Sequence, residues 1–285
     1  MIVVTAATGQ LGRLVVDGLL ERVPAGQIVA AVRDPEKAAD LAARGVEVRE
    51  ADYDRPETLK GAFGAGDVVL LISSNTVGSR ARQHTAVVDA AAEAGVARIA
   101  YTSVLHADTA TVSVAPEHKA TEEHILASRL PYTFLRNGWY TENHAVAIAQ
   151  GAEHGAIFGS AGEGRIASAT RDDYAAGAVA VLTGEGHENK VYELSGDVAW
   201  SMPELAAEIS AVAGKPVAYQ DLPADEYERF LVGAGLPAEV AATFAGFDVA
   251  IAKGEIGDTP GHLSGLIGRP TTPLRDTVTA VLSAS

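Results

Sequence analysis

The sequence contains no cysteine, which excludes disulfide bonds, thiolate nucleophiles and cysteine-ligated zinc. Histidine occurs eight times, but never with the HxxxH spacing that places two metal ligands on one face of a helix. We therefore expect a chemistry that uses neither a thiol nor a bound metal ion.

Basic residues are also scarce. The chain has 22 Lys and Arg residues against 37 Asp and Glu residues, a formal net charge of −15. Nucleic-acid binding depends on clustered Lys and Arg that contact phosphates, so we expect no nucleic-acid partner. The few basic residues of the N-terminal half become informative because they are rare.

Long apolar runs are missing, although hydrophobic residues make up 47% of the chain. None approaches the roughly 20 residues that a membrane-spanning helix needs. The chain enters a strand-like segment at Ile2–Val4 with no basic region before it, so we expect no signal peptide, no membrane association and a cytoplasmic location. A length of 285 residues fits one large domain, or a domain with a smaller lobe.

The N-terminal half alternates short apolar segments with amphipathic ones. The predicted strands are Ile2–Thr5, Ile28–Val32, Val46–Glu50, Val68–Ile72, Arg98–Thr102 and Tyr132–Leu135. An amphipathic stretch that follows Gly12 and runs to Glu21 is the first predicted helix. The others are Pro35–Ala43, Pro56–Phe63, Arg80–Ala94 and Pro116–Ser128. This alternation predicts an α/β fold, a Rossmann-type doubly wound parallel sheet.

The C-terminal half is less regular. Gly151–Gly164, which holds five glycines, is predicted to be a loop or an excursion from the sheet. A helix over Asp173–Leu182, between strands Ile166–Ala169 and Val191–Ser195, is predicted to return to the sheet. Ser201 begins a further helix with a capping box.

We therefore expect a dinucleotide-binding domain over residues 1–138, with residues 165–199 returning to its sheet. Residues 139–164 and 200–285 are expected to form a smaller, mainly helical substrate lobe.

A glycine-containing turn joins the first strand to the first helix. Gly9 allows backbone to approach a pyrophosphate, Gly12 allows the helix to pack on the strand, and the helix N-terminus offers free N–H groups. The alternative is a plain strand–helix turn. The predicted cofactor contacts in this turn are Ala6, Thr8, Gly9, Gln10, Leu11 and Gly12.

The end of the second strand indicates which dinucleotide is bound. NAD-binding folds usually carry an acidic residue there, which holds the ribose 2′-hydroxyl. Here Arg33 follows Val32, and Lys37 adds a second positive charge. A guanidinium suits a 2′-phosphate, which predicts NADP(H) as the cofactor. The alternative is a solvated surface pair with Asp34 and Glu36.

Several segments resemble the NmrA-like family of atypical short-chain dehydrogenases/reductases, and most closely its bacterial quinone reductases. They are Ala6–Gly12, Arg33–Lys37, Asp52–Asp54, Ser73–Asn75, Tyr101–Ser103 and Pro131–Asn143. The resemblance implies an oxidoreductase that uses NADPH, with Asp52 beside the adenine; alternatively, Asp52 only caps the following turn. In one departure, Ala6 stands where the family has its first glycine, and alanine fits there only if its φ is negative.

Polar residues follow three further strands, at the edge where ligands bind in open α/β sheets. They are Ser73, Ser74 and Asn75, then Ser103, then Arg136 and Asn137, which precede Gly138; Arg136 has the alternative of being a structural ion-pair residue. By the resemblance, the segment from Asn137 holds the nicotinamide end with Gly138, Trp139 and Tyr140, while Tyr140 and Asn143 face the acceptor. Trp139 has the alternative of being a core residue of the lobe.

Ordinary short-chain dehydrogenases use a serine and a Tyr-x-x-x-Lys pair to move a proton. Ser103 and Lys119 are the catalytic candidates here, but Ala115 replaces the tyrosine. Alcohol oxidation needs a base, whereas hydride addition to a quinone gives a stabilised anion that water can protonate. The missing tyrosine therefore favours a quinone acceptor. Lys119 has the alternative of being a surface residue.

Two other functions remain open from the sequence. The chain could be a non-catalytic NADP(H) sensor that regulates a protein partner, or a reductase of another planar substrate. NADPH consumption with a simple benzoquinone distinguishes the non-catalytic sensor from an enzyme. An oligomer is possible, and one sequence shows no interface.

Overall fold

The structure is a computed structural model that describes residues 1–284. The chain forms two compact units. The first comprises residues 1–108, 114–137 and 171–194, and the second comprises the other described residues. Within residues 1–284, no helix is both long enough and apolar enough to span a membrane.

A seven-stranded parallel sheet forms the centre of the first unit. Numbered along the whole chain, its strands are Ile2–Thr5 (β1), Ile28–Val32 (β2), Glu47–Glu50 (β3), Val68–Leu71 (β4), Arg98–Val104 (β5), Tyr132–Asn137 (β6) and Lys190–Leu194 (β9). Their order is β3-β2-β1-β4-β5-β6-β9. All five residues of β2 are buried, as expected of a strand covered on both faces. The predicted Rossmann-type fold is confirmed.

The helices of this unit are Gln10–Leu20 (α1), Ala39–Ala43 (α2), Pro56–Leu59 (α3), Arg80–Ala94 (α4), Ala115–Ser128 (α5) and Arg171–Thr183 (α7). Two predicted helices were too long. Over Pro35–Ala38 the chain forms a 3₁₀ turn before α2, and α3 ends at Leu59 rather than Phe63. The Asp34 side chain caps the 3₁₀ turn by accepting the Glu36 N–H at 3.2 Å.

The strand order reverses at β1, which lies between β2 and β4. Ligands of open α/β sheets bind outside the carboxyl ends of the strands at such a point. Thr5, the last residue of β1, fixes this end: its hydroxyl donates to the Leu70 carbonyl at 3.0 Å and accepts the Ile72 N–H at 3.0 Å. The carboxyl ends of β1 and β4 are therefore joined by a side chain as well as by the ladder.

The second unit contains two small sheets and six helices. Its strands are Ala156–Gly159 (β7), Arg165–Ile166 (β8), Trp200–Ser201 (β10) and Ala218–Asp221 (β11). β7 pairs with β11 in parallel, and β8 pairs with β10 antiparallel. The helices are Ala145–His154 (α6), Met202–Ala213 (α8), Ala224–Gly233 (α9), Ala238–Ala252 (α10), His262–Ile267 (α11) and Leu274–Ser283 (α12).

Two predictions for this part of the chain were wrong. Gly151–Gly164 is not a loop: it holds the end of α6 and all of β7, because Gly155 ends the helix at φ +80° and the strand begins at the next residue. The predicted strand Ile166–Ala169 does not join the seven-stranded sheet: Arg165–Ile166 pairs with Trp200–Ser201, and Ala169 forms an isolated bridge with Tyr140. The capping box at Ser201 is confirmed.

A buried carboxylate lies in the second unit. Asp248 on α10 is 9% exposed, and its Oδ2 accepts the Ser160 N–H at 2.7 Å. Burial raises the pKa of Asp248 to about 6. The folded protein therefore binds this proton more tightly than the unfolded chain, in which an aspartate has a pKa of about 4. The resulting stabilisation is complete below pH 4 and is lost as the pH rises through 6.

We predict that Asp248→Asn stabilises the protein at pH 7 by about 2 kcal/mol, because the amide oxygen keeps the Ser160 contact without a buried charge. Urea unfolding at pH 4.5 and pH 7 measures this, and the gap between variant and wild type at pH 4.5 should be less than half of the gap at pH 7. Asp225→Asn, at an exposed ion pair on α9, is the control that should stay close to wild type at both pH values. An equal gap at both pH values for Asp248→Asn would contradict the assignment.

Candidate functional site

The turn between β1 and α1 presents free backbone N–H groups. Gly9 is the N-cap of α1, with φ −75° and ψ 169°, and brings no side chain over the helix end. Its N–H closes the turn on the Ala6 carbonyl at 2.9 Å, and the first bond inside the helix runs from the Arg13 N–H to the Gly9 carbonyl at 3.0 Å. The N–H groups of residues 10–12 therefore project from the helix N-terminus, where an anion binds.

Gly12 brings α1 against this turn. A Cβ at Gly12 would lie 2.4 Å from the Ala6 carbonyl oxygen and 2.8 Å from the Ala7 Cα. A Cβ at Gly9 would meet only the Ala6 oxygen, at 3.2 Å. The predicted packing role of Gly12 is confirmed, since the two backbones approach too closely for any side chain.

Ala6 departs from its expected conformation. We expected alanine to require a negative φ here, but Ala6 has φ +48°. The left-handed residue stands at the start of the turn that the Gly9 N–H closes on the Ala6 carbonyl. The left-handed region of backbone conformation costs an L-residue about 1–2 kcal/mol, which explains why glycine is the ordinary residue at this position.

The two basic residues predicted to bind a 2′-phosphate lie just beyond β2. Arg33 and Lys37 are both exposed. The Lys37 ammonium lies 3.9 Å from the Asp34 carboxylate, which is one contact of the surface arrangement that we considered as an alternative. This contact is long and exposed, and is therefore weak. Binding of the 2′-phosphate by both basic residues stays a prediction.

Asp52 follows β3, and its carboxylate already has partners. One oxygen accepts the Asp54 N–H at 3.0 Å, and the other accepts the Arg55 Nε–H at 3.1 Å. This is the turn-capping geometry that we considered as the alternative. A contact of Asp52 with adenine stays a prediction.

The candidate catalytic residues differ in burial. Ser103, near the end of β5, is 4% exposed, and its hydroxyl has no hydrogen-bond partner among residues 1–284. A buried hydroxyl without a protein partner is unusual, and it is free to bond a ligand or a water molecule. Lys119 is exposed on α5, whereas its neighbour His118 is buried, with Nδ1 2.7 Å from the Tyr101 hydroxyl. The residue of α5 that faces the sheet here is thus His118.

Arg136, near the end of β6, is a structural residue. Its guanidinium donates to Glu122 at 2.7 and 2.9 Å, to Glu193 at 2.8 Å and to Asp108 at 3.0 Å. Three acidic groups thus hold the guanidinium: one from α5, one from β9 and one from the loop that follows β5. The next residue, Asn137, accepts the Leu105 N–H on its carbonyl at 3.0 Å. The end of β6 is therefore fixed before the chain leaves the sheet.

The segment Gly138–Asn143 belongs to the second unit. The Trp139 indole donates to His144 Nε2 at 3.1 Å, and its ring centroid lies 4.4 Å from that of Phe247. Trp139 thus sits in an aromatic cluster of the lobe, as our alternative held. The Asn143 N–H donates to the Tyr140 carbonyl at 3.0 Å, which fixes the turn that carries both predicted acceptor contacts.

The structure brings the first-unit candidates to one edge of the sheet, at the carboxyl ends of β1 to β6. Sequence reasoning missed the rings that lie beneath that edge. Tyr53, His84, Tyr101 and His118 come from four separate elements, and their neighbouring centroids are 5.3 to 6.3 Å apart. No local spacing in the sequence connects them.

A sequence model of the NmrA-like family matches residues 1–259. The chain belongs to this family. It is 49% identical to quinone oxidoreductase 2 of Escherichia coli K12 over 285 residues, which is 100% of both chains.

Two solved structures extend the comparison. The E. coli NADPH-dependent quinone oxidoreductase, in complex with NADPH, has a TM-score of 0.97 at 49% identity and covers 99% of this chain and 100% of its own. The Citrobacter triphenylmethane reductase, in complex with NADP(H), has a TM-score of 0.95 at 44% identity, covering 99% and 100%.

The two turn glycines yield opposite predictions. Gly9→Ala should weaken NADPH binding at least about tenfold while changing the free energy of unfolding by less than about 1 kcal/mol, because its φ suits alanine and its Cβ stands at the open helix end. Gly12→Ala should cost about 1–3 kcal/mol of stability, because backbone must move.

Calorimetric titration with NADPH and urea unfolding measure the two effects. Gly26→Ala is the matched control, since its Cβ would meet nothing within 4 Å. Unchanged NADPH affinity in Gly9→Ala would remove the turn from the cofactor site.

Proposed function

We propose that this chain is an NADPH-dependent quinone oxidoreductase. The observation that carries the proposal is the full-length 49% identity to E. coli quinone oxidoreductase 2, together with the open helix N-terminus at Gly9. The test is oxidation of NADPH in the presence of a simple benzoquinone. Tight NADPH binding without turnover of any quinone would favour the sensor function instead.

The first unit would hold NADPH, and its residues fit that cofactor. The open N-terminus of α1 suits a pyrophosphate, and the orphan hydroxyl of Ser103 is available to a ligand. The proposed cofactor contacts in this unit are Ala6, Thr8, Gly9, Gln10, Leu11, Gly12, Arg33, Lys37, Asp52, Ser73, Ser74, Asn75 and Asn137. When bound, the cofactor supplies hydride from C4 of its nicotinamide.

The chain's own contribution is positioning rather than proton transfer. Ala115 takes the place of a tyrosine. Burial lowers the pKa of His118 well below its usual range, and burial raises that of the Tyr101 phenol, so both stay uncharged at neutral pH. A hydroquinone anion can take its protons from water. Ser103 and Lys119 would then orient the cofactor.

The second unit would shape the acceptor site. Tyr140 and Asn143 are the proposed contacts with a planar ring, which an aromatic side chain can stack upon. The 44% identity to a triphenylmethane reductase favours a second candidate, reduction of another planar, delocalised acceptor. Turnover of such dyes with no turnover of quinones would select it. We also propose a cytoplasmic location, where NADPH is made.

Arg33→Asp should shift cofactor preference from NADPH towards NADH. The change removes a charge-assisted contact with the 2′-phosphate, worth about 1.5–3 kcal/mol, so kcat/KM for NADPH should fall about 10- to 100-fold. Arg44→Asp is the matched control, an exposed arginine of the same segment that pairs with Asp17. Steady-state kinetics with both cofactors decide, and an unchanged ratio would mean that Arg33 does not contact the phosphate.

Quinone reduction should need no dedicated side-chain acid. Ser103→Ala and Lys119→Met should lower kcat by less than the roughly 10²–10⁴-fold that a general acid supplies. Turnover of a benzoquinone at saturating NADPH across pH 5–9 measures this. A larger loss in His118→Ala or Tyr140→Phe, with both ligands still bound, would reveal a specific proton donor.

A further inference from the structure

Two buried side chains of α4 hold the loop that follows β4. His84 Nε2 lies 3.0 Å from the Ser74 nitrogen and accepts its N–H, while Arg80 Nε donates to the Ser74 carbonyl at 2.7 Å. Thr102 on β5 accepts the Ser73 N–H at 2.9 Å. Side chains thus hold the backbone N–H of Ser73 and both the N–H and the carbonyl of Ser74. The loop follows a strand of the parallel sheet, at the edge where ligands bind in open α/β folds.

The partners of His84 determine its tautomer. Its Nδ1 lies 2.9 Å from the Thr121 hydroxyl, which donates its own proton to the Glu117 carbonyl at 2.8 Å. The Thr121 oxygen must therefore accept a proton from His84 Nδ1, which leaves a lone pair on Nε2 for Ser74. Burial, with the nearby Arg80 charge, lowers the pKa of His84 to about 3, so the ring stays neutral.

Burying the polar His84 ring costs free energy of folding, so stability alone does not explain why a histidine stands here. His84 is fully buried, and the Tyr101 ring stands edge-on to it at 5.3 Å between centroids. Buried polar groups are tolerated only when their hydrogen bonds are made, and apolar side chains of similar size would fill such a site at less cost. Here the bonds end on the backbone of Ser74, in a loop that the protein exposes at the ligand edge.

We propose that His84 is a positioning residue for the dinucleotide: by accepting the Ser74 N–H, with Arg80 on the Ser74 carbonyl, it presets loop Ser73–Asn75 to receive the cofactor. The inference rests on the proposed NADPH function. His84 itself touches no ligand; it acts through the loop. Its loss should therefore affect binding of the cofactor rather than the chemical step.

His84→Leu removes the acceptor and leaves the Ser74 N–H unpaired. We expect the Kd and KM for NADPH to rise about tenfold, while kcat changes less than about threefold. His84→Gln, whose amide oxygen can accept the same N–H, should restore most of the affinity. Amide hydrogen exchange at Ser74 should accelerate in the leucine variant and slow again in the glutamine variant.

Thr133→Val is the control for a merely structural effect. It removes a buried hydroxyl that donates to the His187 carbonyl at 2.7 Å, near the start of β6 and so at the opposite sheet edge. It should lower the Tm and leave the Kd for NADPH unchanged. A tenfold rise in Kd in this control, or unchanged Kd in His84→Leu, would overturn the proposal.

Two further readouts keep the inference distinct from the proposed function. Kd is measured by titration without a quinone, so failure of quinone turnover in the wild type leaves this result intact. If His84→Leu does not fold, Thr121→Val removes only the acceptor of Nδ1–H and should raise the Kd about threefold. Wild-type affinity in Thr121→Val, combined with unchanged Ser74 exchange, would count against the mechanism.

Discussion

The contact between Gly12 and the backbone of Ala6 and Ala7 fixes the position of the first helix. Since a Cβ at Gly12 would stand 2.4 Å from a carbonyl oxygen, α1 can lie where it does only without a side chain there. The contact places the helix N-terminus at the end of β1, where the strand order reverses. Backbone N–H groups then offer an anion site without any basic residue, which suits a chain with a net charge of −15.

The strained residue Ala6 lies in the same turn. With α1 held close, the chain turns within four residues, and the Ala6 carbonyl closes that turn on the Gly9 N–H. Ala6 has φ +48° there, in the left-handed region that is costly for an L-residue. Thr5, one residue earlier, joins β1 to β4 through its hydroxyl, so the strained residue lies between two well-fixed neighbours that hold its conformation in place.

Sequence patterns predicted what is local. Continuous apolar runs such as Ile28–Val32 predict strands buried on both faces, and the glycine turn between strand and helix predicts the open helix N-terminus that we propose as the phosphate site. The missed features depend on partners distant in sequence. β11 is mostly exposed and pairs with β7 about 60 residues away, so no local pattern marks it. His84 and the residues around it, Thr121 and Tyr101, likewise come from α4, α5 and β5, and only the fold brings them together.

The mechanism that we propose, without a side-chain acid, depends on positioning. An acceptor that spreads the incoming charge over a planar system leaves little for a proton donor to stabilise, so the rate depends on holding two flat rings in the reactive geometry. Rigidity at the cofactor edge is therefore the property that matters most. The first unit supplies it through Gly12, through the Arg136 ion pairs and through the clamped Ser74 peptide. Burial lowers the pKa of His84 and of His118, so both stay neutral at neutral pH and their titration does not disturb this geometry there.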